Sequence, residues 1–105
     1  MKVLILLLFM ISTNLYAEIP YKDYSNVKNQ KFFKQYLGGV GNGYGWANAL
    51  INGEKLFCQP SNLVLNSNNY LEILDNEIES SSYKASDPLE MILLIGLKKT
   101  FPCKR

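Results

Sequence analysis

From residue 33 to residue 51 apolar side chains recur every three or four positions, at Phe33, Tyr36, Leu37, Val40, Tyr44, Ala47 and Ile51. That spacing collects them on one face of a helix. It predicts one long first helix, with Ser25 or Asn26 as its N-cap and Asn52-Gly53 as its stop. Ahead of it, Glu18 to Tyr24 has no periodicity and carries Pro20, so a strap-like or loosely held segment is expected. Glu54 to Leu65 follows, with Leu56-Phe57-Cys58, Pro60 and Leu63-Val64-Leu65, and reads as an extended link. A second helix, capped by Asn66 or Ser67, buries Tyr70, Leu71, Leu74 and Ile78 and carries Glu72, Asp75, Glu77 and Glu79 around the remainder. Asp87-Pro88-Leu89-Glu90 has the chemistry of a helix start, with Asp87 as cap, Pro88 in the first turn and Glu90 closing a capping box. Leu89 to Leu97 is apolar nearly all round, which predicts a buried central helix, and Pro102 ends it.

The first helix contains Gly38, Gly39, Gly41, Gly43 and Gly45, and each interior glycine costs about 1 kcal/mol relative to alanine. Gly38, Gly41 and Gly45 share a strip off the apolar stripe, continued by Asn48 and Asn52. A strip of small residues admits a close neighbour. Gly38, Gly41 and Gly45, with Trp46, are therefore expected at helix-packing positions, and Gly96 is expected where the first helix approaches the third. The stretch Gly39-Val40-Gly41-Asn42-Gly43 has no preceding strand and no following Lys-Ser/Thr, so it is not a phosphate loop.

The first 17 residues change the class of the protein. Lys2, the apolar run Val3 to Ile11 and the polar Ser12-Thr13-Asn14 before Leu15-Tyr16-Ala17 have the order of a cleavable secretory signal peptide. The run is far shorter than the roughly 20 residues that span a bilayer. Residues 18–105 are then the single mature domain, exported to the periplasm, with no membrane attachment after cleavage. Export decides the reading of the two cysteines, because thiols in an oxidising compartment pair. One intramolecular disulfide between Cys58 and Cys103 is the economical assignment, with an intermolecular bond, and so a homodimer, left open. The expected fold is an all-α, three- to four-helix domain with one disulfide.

Eleven Lys/Arg stand against nine Asp/Glu, with no run of either sign. No electrostatic footprint for nucleic acid results. The sequence has no histidine, which removes the commonest general base and metal ligand. No catalytic residue, metal site or cofactor is assigned. The carboxylates of the second helix have no apolar pocket beside them to tune a pKa. The polar loop Glu79–Ser86 carries Tyr83, either presented to a partner or folded onto the core. Tyr83, Lys84, Glu77 and Glu79 are the candidate partner-binding residues, chosen on exposure and chemistry.

Three segments in order carry a resemblance. Tyr36-Leu37-Gly38-Gly39-Val40-Gly41-Asn42-Gly43-Tyr44-Gly45-Trp46-Ala47-Asn48-Ala49, then Leu56-Phe57-Cys58-Gln59-Pro60, and a closing Leu97 to Phe101-Pro102-Cys103 resemble the Rap/Tai family of immunity proteins, over about residues 33 to 103. The resemblance implies a small, helical, disulfide-bonded periplasmic protein, with Cys58 and Cys103 as the family's disulfide pair. It also implies a non-enzymatic role: binding a cognate type VI secretion effector, an amidase of peptidoglycan, and covering its active site. A second expectation from another class is a small periplasmic chaperone of the acid-stress type, also helical with a single disulfide.

Overall fold

The computed structural model describes residues 18–104. The signal-peptide reading falls on residues 1–17, outside the described residues. Among the described residues the chain forms a 3-10 turn at Tyr21–Asp23 and four α-helices: α1 Tyr24–Val27, α2 Lys31–Leu50, α3 Ser67–Ser80 and α4 Leu89–Thr100. No strand occurs among them, and no helix is long and apolar enough to cross a membrane. The all-α class and the Cys58–Cys103 disulfide are present, with a Cα–Cα distance of 4.9 Å across the bond.

The long first helix is interrupted. Gln30 is extended (φ −87°, ψ 136°) and separates α1 from α2, so neither Ser25 nor Asn26 caps the long helix. Asparagines at 26 and 29 weaken helix here, and the break is useful to the core. It brings the Tyr24 ring edge-on to Phe33, centroids 6.3 Å apart, and lets the Tyr24 hydroxyl donate to Asp75 at 2.8 Å. Tyr24 and Phe33 join Leu37, Phe57, Tyr70, Ile73, Leu74, Leu89, Ile92, Leu93 and Leu97 in one buried cluster.

Helix α3, not the last helix, lies centrally: it packs extensively on both α2 and α4, which touch each other less. Its start matches the sequence reading. The Asn66 side chain accepts from the Asn69 N–H at 3.0 Å while the Asn69 side chain accepts from the Asn66 N–H at 2.9 Å, a reciprocal cap that satisfies two helix-end donors. Its buried face is Tyr70, Ile73, Leu74 and Glu77, with Leu71 and Ile78 only partly covered. A helix held between two others has to bury two sides, which moves Ile73 and Glu77 inward.

Glycine sets how closely the helices meet. A Cβ on Gly41 would overlap the Tyr70 ring, and one on Gly38 would overlap the Ser67 hydroxyl. Gly96 serves α3 rather than the first helix, because a Cβ there would stand 2.9 Å from Ile73 Cγ2 and 3.2 Å from the Ile73 carbonyl oxygen. Gly45 and Trp46 do not take the packing role expected of them. Nothing lies within 4 Å of a Cβ at Gly45, and Trp46 is 73% exposed, since both stand on the wall of an open groove.

The helix start near residue 88 also differs from expectation. Pro88 is itself the cap residue and no side chain caps the helix. Asp87 instead accepts from the Lys84 N–H at 2.8 Å, closing a turn in the loop. Glu90 accepts from the Tyr36 hydroxyl and from the Ile19 N–H, 3.2 Å from each carboxylate oxygen. The N-terminal segment is a strap: Tyr21 N–H donates to the Asp87 carbonyl (2.7 Å), Lys22 N–H to Ala85 (3.0 Å) and Leu89 N–H to Ile19 (2.8 Å). Those bonds satisfy backbone groups that a proline-flanked segment would otherwise leave open.

Candidate functional site

The C-terminal half of α2 and the link that follows enclose the largest concavity described, an open groove of about 790 Å³. Asn48 builds it. This side chain is buried at 9% exposure, donates to the Phe57 carbonyl at 2.8 Å, and accepts from the Leu56 N–H at 2.7 Å. A single amide thus satisfies link backbone groups that have no strand partner. It holds the link against α2 and buries Phe57 at 2% exposure. Lys55 closes the helix end, its ammonium donating to the carbonyls of Ala49 (3.1 Å) and Ile51 (2.7 Å), the favourable placement for a cation. Gly53, at φ 116°, makes the reversal that follows. The Cys58 N–H donates to the Phe101 carbonyl at 2.8 Å, and the disulfide from Cys58 to Cys103 fixes the link to the end of the chain.

On this frame sit apolar side chains that the core leaves out. Trp46, Leu63 and Val64 line the groove, and they are 73%, 40% and 87% exposed. Leu50, one turn beyond Trp46, is exposed as well. At 100° per residue Phe32, Gly39, Gly43, Trp46 and Leu50 fall within roughly 60° of one another on α2, opposite Phe33, Leu37, Gly41 and Asn48. Helix α2 therefore has two apolar faces, one buried and one open. Lys55 is the one side chain charged at neutral pH among the groove-lining residues, and Tyr70, raised by burial, adds a neutral phenol, so the surface offers mainly contact area and neutral hydrogen-bonding groups.

The sequence-chosen partner residues lie elsewhere and only in part at the surface. Glu77 is 3% exposed and committed internally. It accepts from the Tyr83 hydroxyl and pairs with the Lys99 ammonium at 2.9 Å. The expectation of Glu77 as a partner contact is corrected accordingly, because Lys99 on α4 and Tyr83 on the loop converge on it. Tyr83 has folded back, its ring 6.3 Å from that of Tyr21, which takes the second of its two alternatives. Lys84 and Glu79 are exposed. They share no pocket with the Trp46 groove. No group of three or more His, Cys, Asp or Glu is placed to hold a metal ion among the described residues.

Burial pushes the Glu77 carboxyl up, but hydrogen bonds from Tyr83, Lys99 and Ser81 and the Lys99 charge outweigh it, leaving the group below its ordinary 4.5. Burial, then the bond to Glu77, pushes the Tyr83 phenol up to about 12. A lowered carboxylate stabilises the fold fully above its unfolded value and ceases to do so as pH falls through the folded one. The raised phenol stabilises the fold below pH 10 and loses that contribution between 10 and about 12. Glu77→Ala is expected to cost about 2–3 kcal/mol at pH 7, since it leaves Tyr83 and Lys99 without their acceptor. Urea midpoints for wild type and variant should converge below pH 4.5, and parallel curves down to pH 3 would show that the carboxylate is not the stabilising group.

Neither of the residues that dominate the groove, Trp46 and Val64, reads as a partner contact from the sequence. The available signal was angular: Trp46 lies about 180° from the buried face on a helical wheel. No protein-family model, no curated protein and no solved structure matches the chain.

Proposed function

We propose that this protein is an exported, periplasmic immunity protein that binds a cognate peptidoglycan amidase effector of type VI secretion and occludes its active site. The family and the partner come from the motif resemblance over residues 33 to 103. The observation that supports a binding role is the open apolar surface of Trp46, Leu50, Leu63 and Val64, carried on a frame fixed by Asn48 and the disulfide. Large exposed apolar side chains gathered at one concavity are the ordinary mark of a protein interface. Tryptophan is the residue type that most often dominates one. A rigid presenting surface avoids much of the ordering cost of association, so more of the contact energy appears as affinity. Inhibition then needs no chemistry from the inhibitor: its bulk occupies the cleft where the peptide stem of peptidoglycan would lie.

Co-expression in the periplasm with an exported amidase encoded beside this chain tests the role. Cells carrying both should grow, and cells carrying the amidase alone should lyse; equal lysis overturns the inhibitor reading. Trp46→Ala is expected to weaken the complex at least thirtyfold, about 2 kcal/mol or more, with the urea midpoint nearly unchanged because the ring is outside the core. A Trp46→Ala/Val64→Ser chain that still protects and binds with unaltered Kd would move the contact surface away from the groove.

A further inference from the structure

Glu90 stands in the first turn of α4 and is half-buried. Its carboxylate takes neutral donors, the Tyr36 hydroxyl and the Ile19 N–H, the latter 3.2 Å from both oxygens. Among the described residues the ion pair within 4.0 Å is Lys99 with Glu77, so no lysine reaches Glu90. A partly buried carboxylate held by neutral donors, with no lysine among the described residues paired to it, is an uncommon arrangement, because removing one charge from water without its opposite is costly.

The missing charge has a source one residue away. Cleavage after Ala17 turns the backbone nitrogen of Glu18 into an ammonium. That nitrogen lies at most one residue's span, about 3.6 Å, from the Ile19 nitrogen that already touches Glu90. We propose that the Glu90 carboxylate is the seat of the processed N-terminus, binding the α-ammonium created at Glu18. The proposal rests on the export part of the function above, not on the identity of any partner. In the precursor the same nitrogen is an uncharged amide, so the strap closes with one charge fewer.

The surroundings leave the ammonium few rivals. From α2 the phenols of Tyr36 and Tyr44 face Glu90, the first donating to its carboxylate and the second to its carbonyl at 2.9 Å. Burial first, then Glu90 and the nearby Glu18 charge, raise both phenols, so neither competes as an anion. From the loop, Asp87 is spent on the Lys84 N–H. On the strap, Lys22 and the Glu18 side chain border the shallow cavity formed with Ala85, Ser86 and Pro88, and Lys22 lies outside ion-pair distance of Glu90. Seating the ammonium would fasten the strap that holds residues 85–89 in place. Folding would then tighten only after export, when the leader has been removed.

The mature chain, released from a fusion so that Glu18 is its first residue, is compared with the same chain acetylated at that amine and with one bearing an extra glycine ahead of Glu18. Acetylation is expected to lower the folding equilibrium constant three- to tenfold and to accelerate hydrogen exchange at the Ile19, Tyr21 and Lys22 amides, with the added glycine intermediate. In Glu90→Gln the three forms should be equally stable. Equal exchange in the free and acetylated wild-type chains overturns the seat without recourse to any substitution, as does an acetylation effect that persists in Glu90→Gln. The N-terminal residue of the exported protein is a separate test, and a start other than Glu18 overturns the processing step.

Discussion

Replacing Cys58 and Cys103 together by serine is expected to lower stability by about 4 kcal/mol. The two residues are 45 apart in sequence, and closing a loop of that length removes chain entropy from the unfolded state worth ~4 kcal/mol. Small domains have only about 5–10 kcal/mol in total, so the open chain would be marginal at 37 °C. Little of the loss should come from the folded state. The Cys58 N–H still meets the Phe101 carbonyl at 2.8 Å, and Asn48 still holds Leu56 and Phe57. The helical circular dichroism of the serine variant in the absence of denaturant should therefore match wild type, while its urea midpoint falls by several molar at a slope of about 1 kcal/mol per molar. Reduction of the wild-type protein should reproduce the shift. A loss below about 1 kcal/mol would mean that the unfolded chain is already confined without the bond, and the entropy account would fail.

The same bond shows what a sequence makes legible. A pairing of two cysteines follows from their count once an oxidising compartment is expected. The Asn66 cap and the position of α3 follow from local chemistry within four residues. These features depend on neighbours in the chain. Glu77 shows the opposite case. It reads as one more acid on a solvated helix, and its burial is created by Lys99, 22 residues away, and Tyr83 on the loop. The break at Gln30 is similarly nonlocal, since its benefit is the bond from Tyr24 to Asp75, 51 residues distant. Asp87 and Glu90 have the pattern of a capping box, but the turn at Lys84 and the strap at Ile19 supply better partners for both carboxylates. Trp46 departs from its expected packing position for another reason. A large aromatic beside a glycine strip invites a packing role, yet its angle on α2 points it away from every other helix.

The five glycines of α2, alike on a propensity scale, should divide into two groups when each is changed to alanine. Gly41→Ala places a methyl where the Tyr70 ring lies. Tyr70 is 4% exposed and its hydroxyl donates to Asn42 at 3.2 Å, so the ring cannot turn aside without giving up that bond and its packing. Overpacking of this kind costs about 1–3 kcal/mol, against an intrinsic helix gain of about 1 kcal/mol. A net loss of up to about 2 kcal/mol is expected, and Gly41→Val should lose more. Gly39 and Gly43 have nothing within 4 Å of a Cβ, so Gly39→Ala and Gly43→Ala should each gain about 0.5–1 kcal/mol through reduced freedom of the unfolded chain. Thermal midpoints of the single variants check the division, and a destabilised Gly43→Ala would place an unrecognised neighbour on that face. Both positions share the open face with Phe32, Trp46 and Leu50, where a bare backbone adds nothing to the fold that alanine would not improve. If the alanine variants melt higher yet bind the proposed effector more weakly, the bare backbone serves close approach by that partner. If affinity is unchanged, the partner's footprint is confined to the groove end of α2, around Trp46 and Val64.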